Sequence, residues 1–291
     1  MKSEPSTKEL DEAMKFGCHV SIREGYTGAA KHALKINAQA FQYFPKNPRS
    51  LSIKEFDQED AKRCKTFCQE HSLVSVAHTP YPTTLTPPSE KKELVIESVL
   101  NDLEIANMCG SIGVVVHFGS RTNEEDPLSS YHLMIDMLNT ILEQWNGKCK
   151  ILLENNAGKP GAMGTTFEEL VQVKKLTSFP EKIGFCFDTC HAFSSGLWSG
   201  GNNDELWKKA MELGYLQDLE VVHLNNSKYP LSSGKDRHAN ILKGGYIEKR
   251  YFERLFETSY LSEVPYILET PTDSGISHEE EIKMLKQKMG K

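Results

Sequence analysis

Six short apolar runs in this chain each end in a side chain able to bind a metal. They are VSVAH ending at His78, GVVVH at His117, KILLE at Glu154, GFCFD at Asp188, EVVH at His223 and YILE at Glu269. Runs of four or five residues rich in Val, Ile, Leu and Phe are too short for helices and have the composition of buried strands. A single Asp at a strand end ordinarily caps the next helix, and Asp188 has that reading too, with Thr189 placed to cap the turn and His191 as a packed loop histidine. Six strands with polar tips call for a fold in which the same end of every strand meets at one place.

The segments between these runs complete the pattern. Strands are predicted over 16–21, 40–44, 74–78, 113–117, 150–154, 183–187, 220–224 and 265–269. Helices are predicted over 25–37, 58–72, 90–109, 128–145, 166–176, 204–213, 247–258 and 278–289. Thr166 with Glu169 three residues on has the form of a capping box. Eight strand-helix units in alternation are what a closed (β/α)8 barrel, the TIM barrel, requires. A doubly wound open sheet is the alternative; the regular eight units and the lack of a Gly-rich dinucleotide fingerprint favour closure. Residues 1–15 are polar and charged and are expected to form a flexible extension, leaving 16–291 as one barrel domain. In such a barrel the C-terminal strand ends share one face, where active sites lie.

Composition narrows the function classes. There is no run of 18 apolar residues, and MKSEPSTKELDEAMK lacks the apolar core of a secretory signal, so a cytoplasmic protein without membrane contact is expected. The seven cysteines are odd in number, form no CxxC pair and sit mostly in apolar segments, which suits reduced thiols. Cys64 with Cys68, or Cys186 with Cys190, could be offered as a metal pair, but buried core thiols are the preferred reading. A formal charge of −6 argues against a simple nucleic-acid coat protein. It leaves room for a local basic rim, because carboxylates that face metals count in that total.

The strand ends carry His78, His117, Glu154, Asp188, His223 and Glu269; His191 follows Asp188, and the loop after the seventh strand adds Asp236 and His238. Nine ligand-type side chains exceed the three or four that one zinc takes. Two or three metals resolve the surplus, and a donor set of N and O suits zinc, manganese or iron in a hydrolytic centre. Closely spaced metals favour in-line displacement at phosphorus; an amidohydrolase barrel would instead announce an HxH on its first strand, where His19 stands alone. His19 is accordingly expected to be a hydrogen-bonded strand-end histidine beside the site.

At this point the chain resembles the endonuclease IV family (apurinic/apyrimidinic endonuclease family 2) over nearly all of 16–289. The motifs that carry the likeness are GCHVS at Gly17, HTPY at His78, HFGS at His117, ENNAG at Glu154, DTCHAF at Asp188, HLNNSK at His223, DRH at Asp236 and LET at Leu268. The resemblance implies a xylose-isomerase-like barrel that hydrolyses the phosphodiester 5′ to abasic sites in double-stranded DNA. It implies a trinuclear centre, commonly Zn2+ with Mn2+ or Fe2+ possible, an activated hydroxide, and Glu154 as the catalytic bridge. Carried over by position, His78, His117 and Glu154 would hold the first metal. Glu154, Asp188, His223 and Glu269 would hold the second, and His191, Asp236 and His238 the third.

DNA contact is expected from Arg49 in KNPR and Tyr81 in HTPY, which would fill the stack left by a flipped nucleotide, and from phosphate contacts by Lys46 and Arg237, with Lys228 and Lys235 nearby. A monomer is expected. The chain departs from the family at Asn226, where HLND is common, at Phe118, where HPGS is common, and in ANILKGGYI after DRH. Two other readings compete: a single-metal sugar isomerase or epimerase using Glu154, Asp188, His223 and Glu269, and a damaged-DNA-binding paralogue with weak catalysis.

Overall fold

A computed structural model describes residues 14–273 and 275–289. Seven successive parallel strands, β1 (Phe16–His19), β2 (Ala40–Tyr43), β3 (Val74–His78), β4 (Gly113–His117), β5 (Lys150–Glu154), β6 (Ile183–Asp188) and β7 (Leu219–His223), are joined by an eighth, Tyr266–Leu268, which closes the barrel onto β1. Between β7 and that last strand lies a separate antiparallel ribbon, β8 (Asn226–Ser227) with β9 (His238–Ala239), so the closing strand is β10. The helices are α1 (Gly25–Lys35), α2 (Gln58–Glu70), α3 (Lys92–Cys109), α4 (Pro127–Gln144), α5 (Phe167–Leu176), α6 (Thr189–Ser195), α7 (Asn203–Leu213), α8 (Lys249–Phe256) and α9 (His278–Met289).

Local sequence sets several of these boundaries. The Thr166–Glu169 capping box opens α5, and Gly110, at φ 75°, closes α3 in the left-handed conformation that a side chain disfavours. Strands β3, β4 and β5 begin and end where the apolar runs do. Elsewhere the predicted ends move by up to two residues. Among the elements not expected from sequence are α6, directly after Asp188, and the β8–β9 ribbon inside the loop after the seventh strand. The expected flexible extension falls mostly on residues 1–13, outside the described residues. Met14 is packed in the core and the Lys15 carbonyl accepts a hydrogen bond from Tyr266 N, so these two residues belong with the barrel.

The barrel interior explains where the site must lie. Ala40, Val76, Val115, Leu152, Cys186, Val221 and Ile267 form a separate buried cluster inside the ring of strands. On β1 the matching position is Gly17, where an added Cβ would lie 1.7 Å from the Ala40 carbonyl oxygen. Side chains alternate along a strand, so the residues two positions further on point to the same interior, one layer higher. Those residues are His19, Gln42, His78, His117, Glu154, Asp188, His223 and Glu269. Each buried Val, Leu or Ile of the plug contributes about 1.5–3 kcal/mol, and together they seal the floor beneath a polar upper layer. Among the described residues no helix is long and apolar enough to cross a membrane, and all seven cysteines are free and buried.

Candidate metal centre

The register of the barrel brings the polar tips to one level: His117 pairs with Glu154, and Asp188 with His223, as Cα partners. Glu154 sits at the middle, with only 1% of its surface exposed. Its Oε2 is 3.1 Å from His117 Nε2 and 3.5 Å from His78 Nε2, while Oε1 is 2.9 Å from His223 Nδ1. Glu269 Oε2 lies 3.3 Å from that same His223 nitrogen, and Asp188 Oδ2 3.9 Å from it. Asp236 Oδ1 is 3.3 Å from the Nε2 atoms of both His191 and His238.

These contacts sort into overlapping groups. His78, His117 and Glu154 form one; Glu154, Asp188, His223 and Glu269 form a second. Around the remaining pair of histidines the ligand atoms gather as Asp188, His191 and His238, with Asp236 reaching both imidazoles from the half-exposed rim. The expected third set thus has a further carboxylate, Asp188, within reach. Cys186 also comes near Glu154 and His223, and Cys190 near Asp236 and His238. Burial pushes both thiols up to about 12, so they pack as neutral side chains, and the Cys64–Cys68 pair forms no metal group among the described residues.

The donors fit metal ions by three criteria. First, Glu154 Oε2, His191 Nε2 and His238 Nε2 are buried and, among the described residues, make close ion-pair contacts but no well-aligned hydrogen bond, a costly state that coordination relieves. Second, two donors about 2.1 Å from a shared tetrahedral ion lie roughly 3.4 Å apart, and the close contacts above fall around that separation. Third, the imidazoles are oriented from behind. His78 Nδ1 donates to the Thr79 carbonyl at 2.8 Å and His191 Nδ1 to the Asn155 carbonyl at 2.9 Å, which leaves each Nε2 lone pair facing the cluster.

Burial is the largest influence on these groups and by itself would raise the carboxyls and lower the imidazoles. Opposite charges overturn it. His117 and His223 hold Glu154 well below the usual carboxylate range, and His223 with His238 lower Glu269. Asp188 and Asp236 raise His191 well above an ordinary imidazole, while the Glu269 and Glu154 carboxylates raise His223. Protons on the imidazoles are one way to balance the carboxylates; dications are the other, and their binding releases those protons. His19, outside this cluster, is lowered to about 4 by burial and accepts a 3.2 Å hydrogen bond from Gln42 Nε2, as a strand-end histidine beside the site should.

Asp188 serves two roles at once. Oδ1 accepts from His191 N at 2.7 Å and caps α6, while Oδ2 faces the cluster and accepts from Asn225 Nδ2 at 2.7 Å. Thr189 does not cap the turn as expected; its hydroxyl donates to the Asn225 carbonyl at 2.7 Å. Asn155 pairs its side-chain amide with both backbone groups of Asp188, substituting for a strand neighbour. Gln42, Asn155, Asn225 and His278, which lines the mouth of the cavity, were all missed from sequence. The available signal was the i+2 spacing from the plug, which marks Gln42 as inward-facing although an amide is not a metal ligand of choice.

A cavity of about 320 Å³ opens over the cluster between His117, Asp236, His238, Glu269, Tyr81 and His278. Tyr81 stands 67% exposed on its rim, edge-on to Phe44 at 5.1 Å, and its N–H donates to the Pro48 carbonyl, pinning its loop to the one carrying exposed Arg49. Arg237 is exposed and donates to the Asp236 carbonyl at 2.7 Å; Lys228 is also exposed, and Lys235 Nζ lies 4.3 Å from the Tyr229 ring centroid. Lys46 corrects the expectation. It is buried at 3% exposure, 3.2 Å from Asp102 and 2.6 Å from the Ser98 carbonyl, so its ammonium points into the protein and cannot reach a phosphate.

The departures from the family pattern have structural reasons. Asn226 donates to the Ile241 and Ile247 carbonyls at 3.3 and 3.0 Å and accepts from Ile247 N, a set that an aspartate, having no donor, could not make. An added Cβ on Gly245 would lie 2.1 Å from that amide, which is why the glycine stands there. Phe118 is buried beneath Gly164. None of these positions displaces a candidate ligand.

The fold and the cluster together define a class: a xylose isomerase-like TIM barrel with clustered nitrogen and oxygen donors, able to hold metal ions, at its C-terminal face. A family model described as xylose isomerase-like TIM barrel matches residues 30–288. A protein of Symbiobacterium thermophilum named probable endonuclease 4 is 40% identical over 270 residues, 92% of this chain and 97% of its own length. Another of that name from Alkaliphilus oremlandii is 33% identical over 278 residues, covering 94% and 97%. The crystal structure of endonuclease IV from Thermus thermophilus superposes with a TM-score of 0.81 at 29% identity, over 94% of this chain and 98% of that one. The chain belongs to the endonuclease IV family.

Proposed function

We propose that this chain is a metal-dependent endonuclease that hydrolyses the phosphodiester 5′ to abasic sites in duplex DNA, with three divalent ions, zinc foremost, held by the nine clustered side chains. The observation that carries the proposal is Glu154: one buried carboxylate whose two oxygens face two different ligand groups, with a third group alongside. Ions bound there supply Lewis acidity and a water of lowered pKa. The protein's own part is positional. Glu154 holds the first two groups at a fixed separation, and Asp188, through its capped helix, ties the second group to the third. The plug below and Phe44 beside His78 keep water out except through the mouth. Tyr81 and Arg49, on two loops joined through Pro48, are placed to occupy the stack that a flipped-out abasic nucleotide leaves, offsetting an unstacking cost of a few kcal/mol.

The isomerase reading accounts for Glu154, Asp188, His223 and Glu269 and leaves five oriented side chains without a role. A duplex with one abasic site, labelled at either end, tests the proposal. A single cut 5′ to the lesion is expected, lost on chelation, restored by zinc and absent from the undamaged duplex. Loss of the lesion preference, or a cut that survives complete chelation, would overturn it.

A further inference from the structure

Among the eight side chains in the upper layer of the barrel, Gln42 is the one that neither titrates nor ligates readily, yet it is fully buried and fully bonded. From β2 it reaches three other strands or their ends. Its Nε2 donates to Glu269 Oε1 at 2.6 Å, with His19 Nδ1 at 3.2 Å, and its Oε1 lies 2.7 Å from His223 Nε2.

The direction of this chain of bonds follows from chemistry. A carboxylate next to a cation site is an acceptor only, so the amide nitrogen must face Glu269. The amide oxygen then faces His223, and His223 must carry its proton on Nε2 to make that bond. The Nδ1 lone pair is therefore the one that faces Glu154 and Asp188. Glu269 is sorted in the same way: Oε1 is engaged by Gln42, and Oε2 is left toward His223 Nδ1 at 3.3 Å.

The geometry points to Gln42 as a positioning residue for the Glu154–Asp188–His223–Glu269 metal group, selecting the His223 nitrogen and the Glu269 oxygen that meet the ion. The inference rests on the metal-centre reading above. It adds that one amide outside the ligand set fixes the donor atoms of one ion and leaves the other two unaffected.

Gln42→Met keeps length and volume and removes every polar atom of the amide. Stepwise competition with a chelator, followed by zinc analysis, should show one ion released about 10–100-fold more readily than in the unsubstituted protein, the usual effect of losing a ligand's outer partner. The remaining ions should be unchanged. Nitrogen-15 spectra of the zinc-loaded, unsubstituted protein give a second readout that needs no variant: His223 should show a slowly exchanging proton on Nε2 and none on Nδ1. Equal retention of every ion by Gln42→Met, or a proton on Nδ1 of His223, overturns the assignment. Fewer than three ions in the unsubstituted protein would instead count against the trinuclear reading, while the His223 proton would still decide the role of Gln42.

Discussion

Glu154→Gln changes the centre without changing its shape. The side chain is 1% exposed and the substitution is isosteric, so packing is retained; what disappears is one negative charge and one set of lone pairs. Because Oε1 and Oε2 face different groups, an amide nitrogen placed at either position deprives one group of a ligand. Unit charges 4 Å apart at an effective dielectric of about 20 interact by about 4 kcal/mol, and a coordinated dication is closer and doubly charged, so this is a lower bound. About 4 kcal/mol corresponds to roughly a 1,000-fold loss of affinity for at least one ion.

The same loss is visible in stability. With roughly 2.1 cal/mol/K of unfolding entropy per residue, a 291-residue chain has about 0.6 kcal/mol/K, so the rise in Tm on adding metal should shrink by roughly 7 °C. The chelated variant removes no volume and should lose only the Glu154 ion pairs with His117 and His223, so the metal-dependent rise, not the metal-free Tm, is the quantity to compare. Calorimetry with and without zinc, with elemental analysis and an incision assay on the same samples, reads all three effects. A variant that keeps its full metal content, its metal-dependent Tm rise and its incision rate would refute the bridging role.

Tyr81→Ala should weaken binding to an abasic duplex by about 1–3 kcal/mol, the worth of one stacking contact, with metal content unchanged; an unaltered Kd would remove Tyr81 from the DNA interface. Arg237→Ala should reduce the salt dependence of DNA binding by about one phosphate contact, a change in log–log slope of roughly 0.9, measured by titration at several salt concentrations. Lys46→Met should leave that slope untouched and instead cost about 1–3 kcal/mol of stability, because it leaves the buried Asp102 carboxyl without the donor that faces it. Burial raises Asp102 to about 7 against the pull of Lys46. Native Asp102 therefore holds a proton that the unfolded chain releases near pH 4, so its contribution to stability is full below about pH 4 and is lost as pH rises through about 7. The Tm advantage of the unsubstituted protein over Asp102→Asn should shrink across that window; an advantage that grows with pH would reverse the sign.

Much of the centre was legible because strand periodicity is a strong local signal. VSVAH, GVVVH and KILLE gave β3, β4 and β5 to the residue, and in each the candidate ligand follows an inward-facing apolar residue by two. What stayed hidden depends on contacts between distant segments. Lys46 looked like a surface cation in a turn, and only Asp102, far along the chain on α3, shows why it is buried. The β8–β9 ribbon has two residues per strand, too few for any periodicity, yet it is what carries His238 to Asp188. Asp188 looked like a choice between cap and ligand, and the structure commits one oxygen to the cap and turns the other toward the cluster. Gln42 escaped notice because its function is to orient ligands, and no motif of metal-binding residue types includes it.

Elemental analysis of the purified protein, run on the sample that is assayed for incision, tests the central claim most directly. Near three divalent ions per chain with a cut 5′ to the abasic site is the predicted result. One ion per chain and no incision would contradict it and leave the Glu154, Asp188, His223 and Glu269 group serving single-metal chemistry; three ions without incision would leave a protein that binds damaged DNA and does not cleave it.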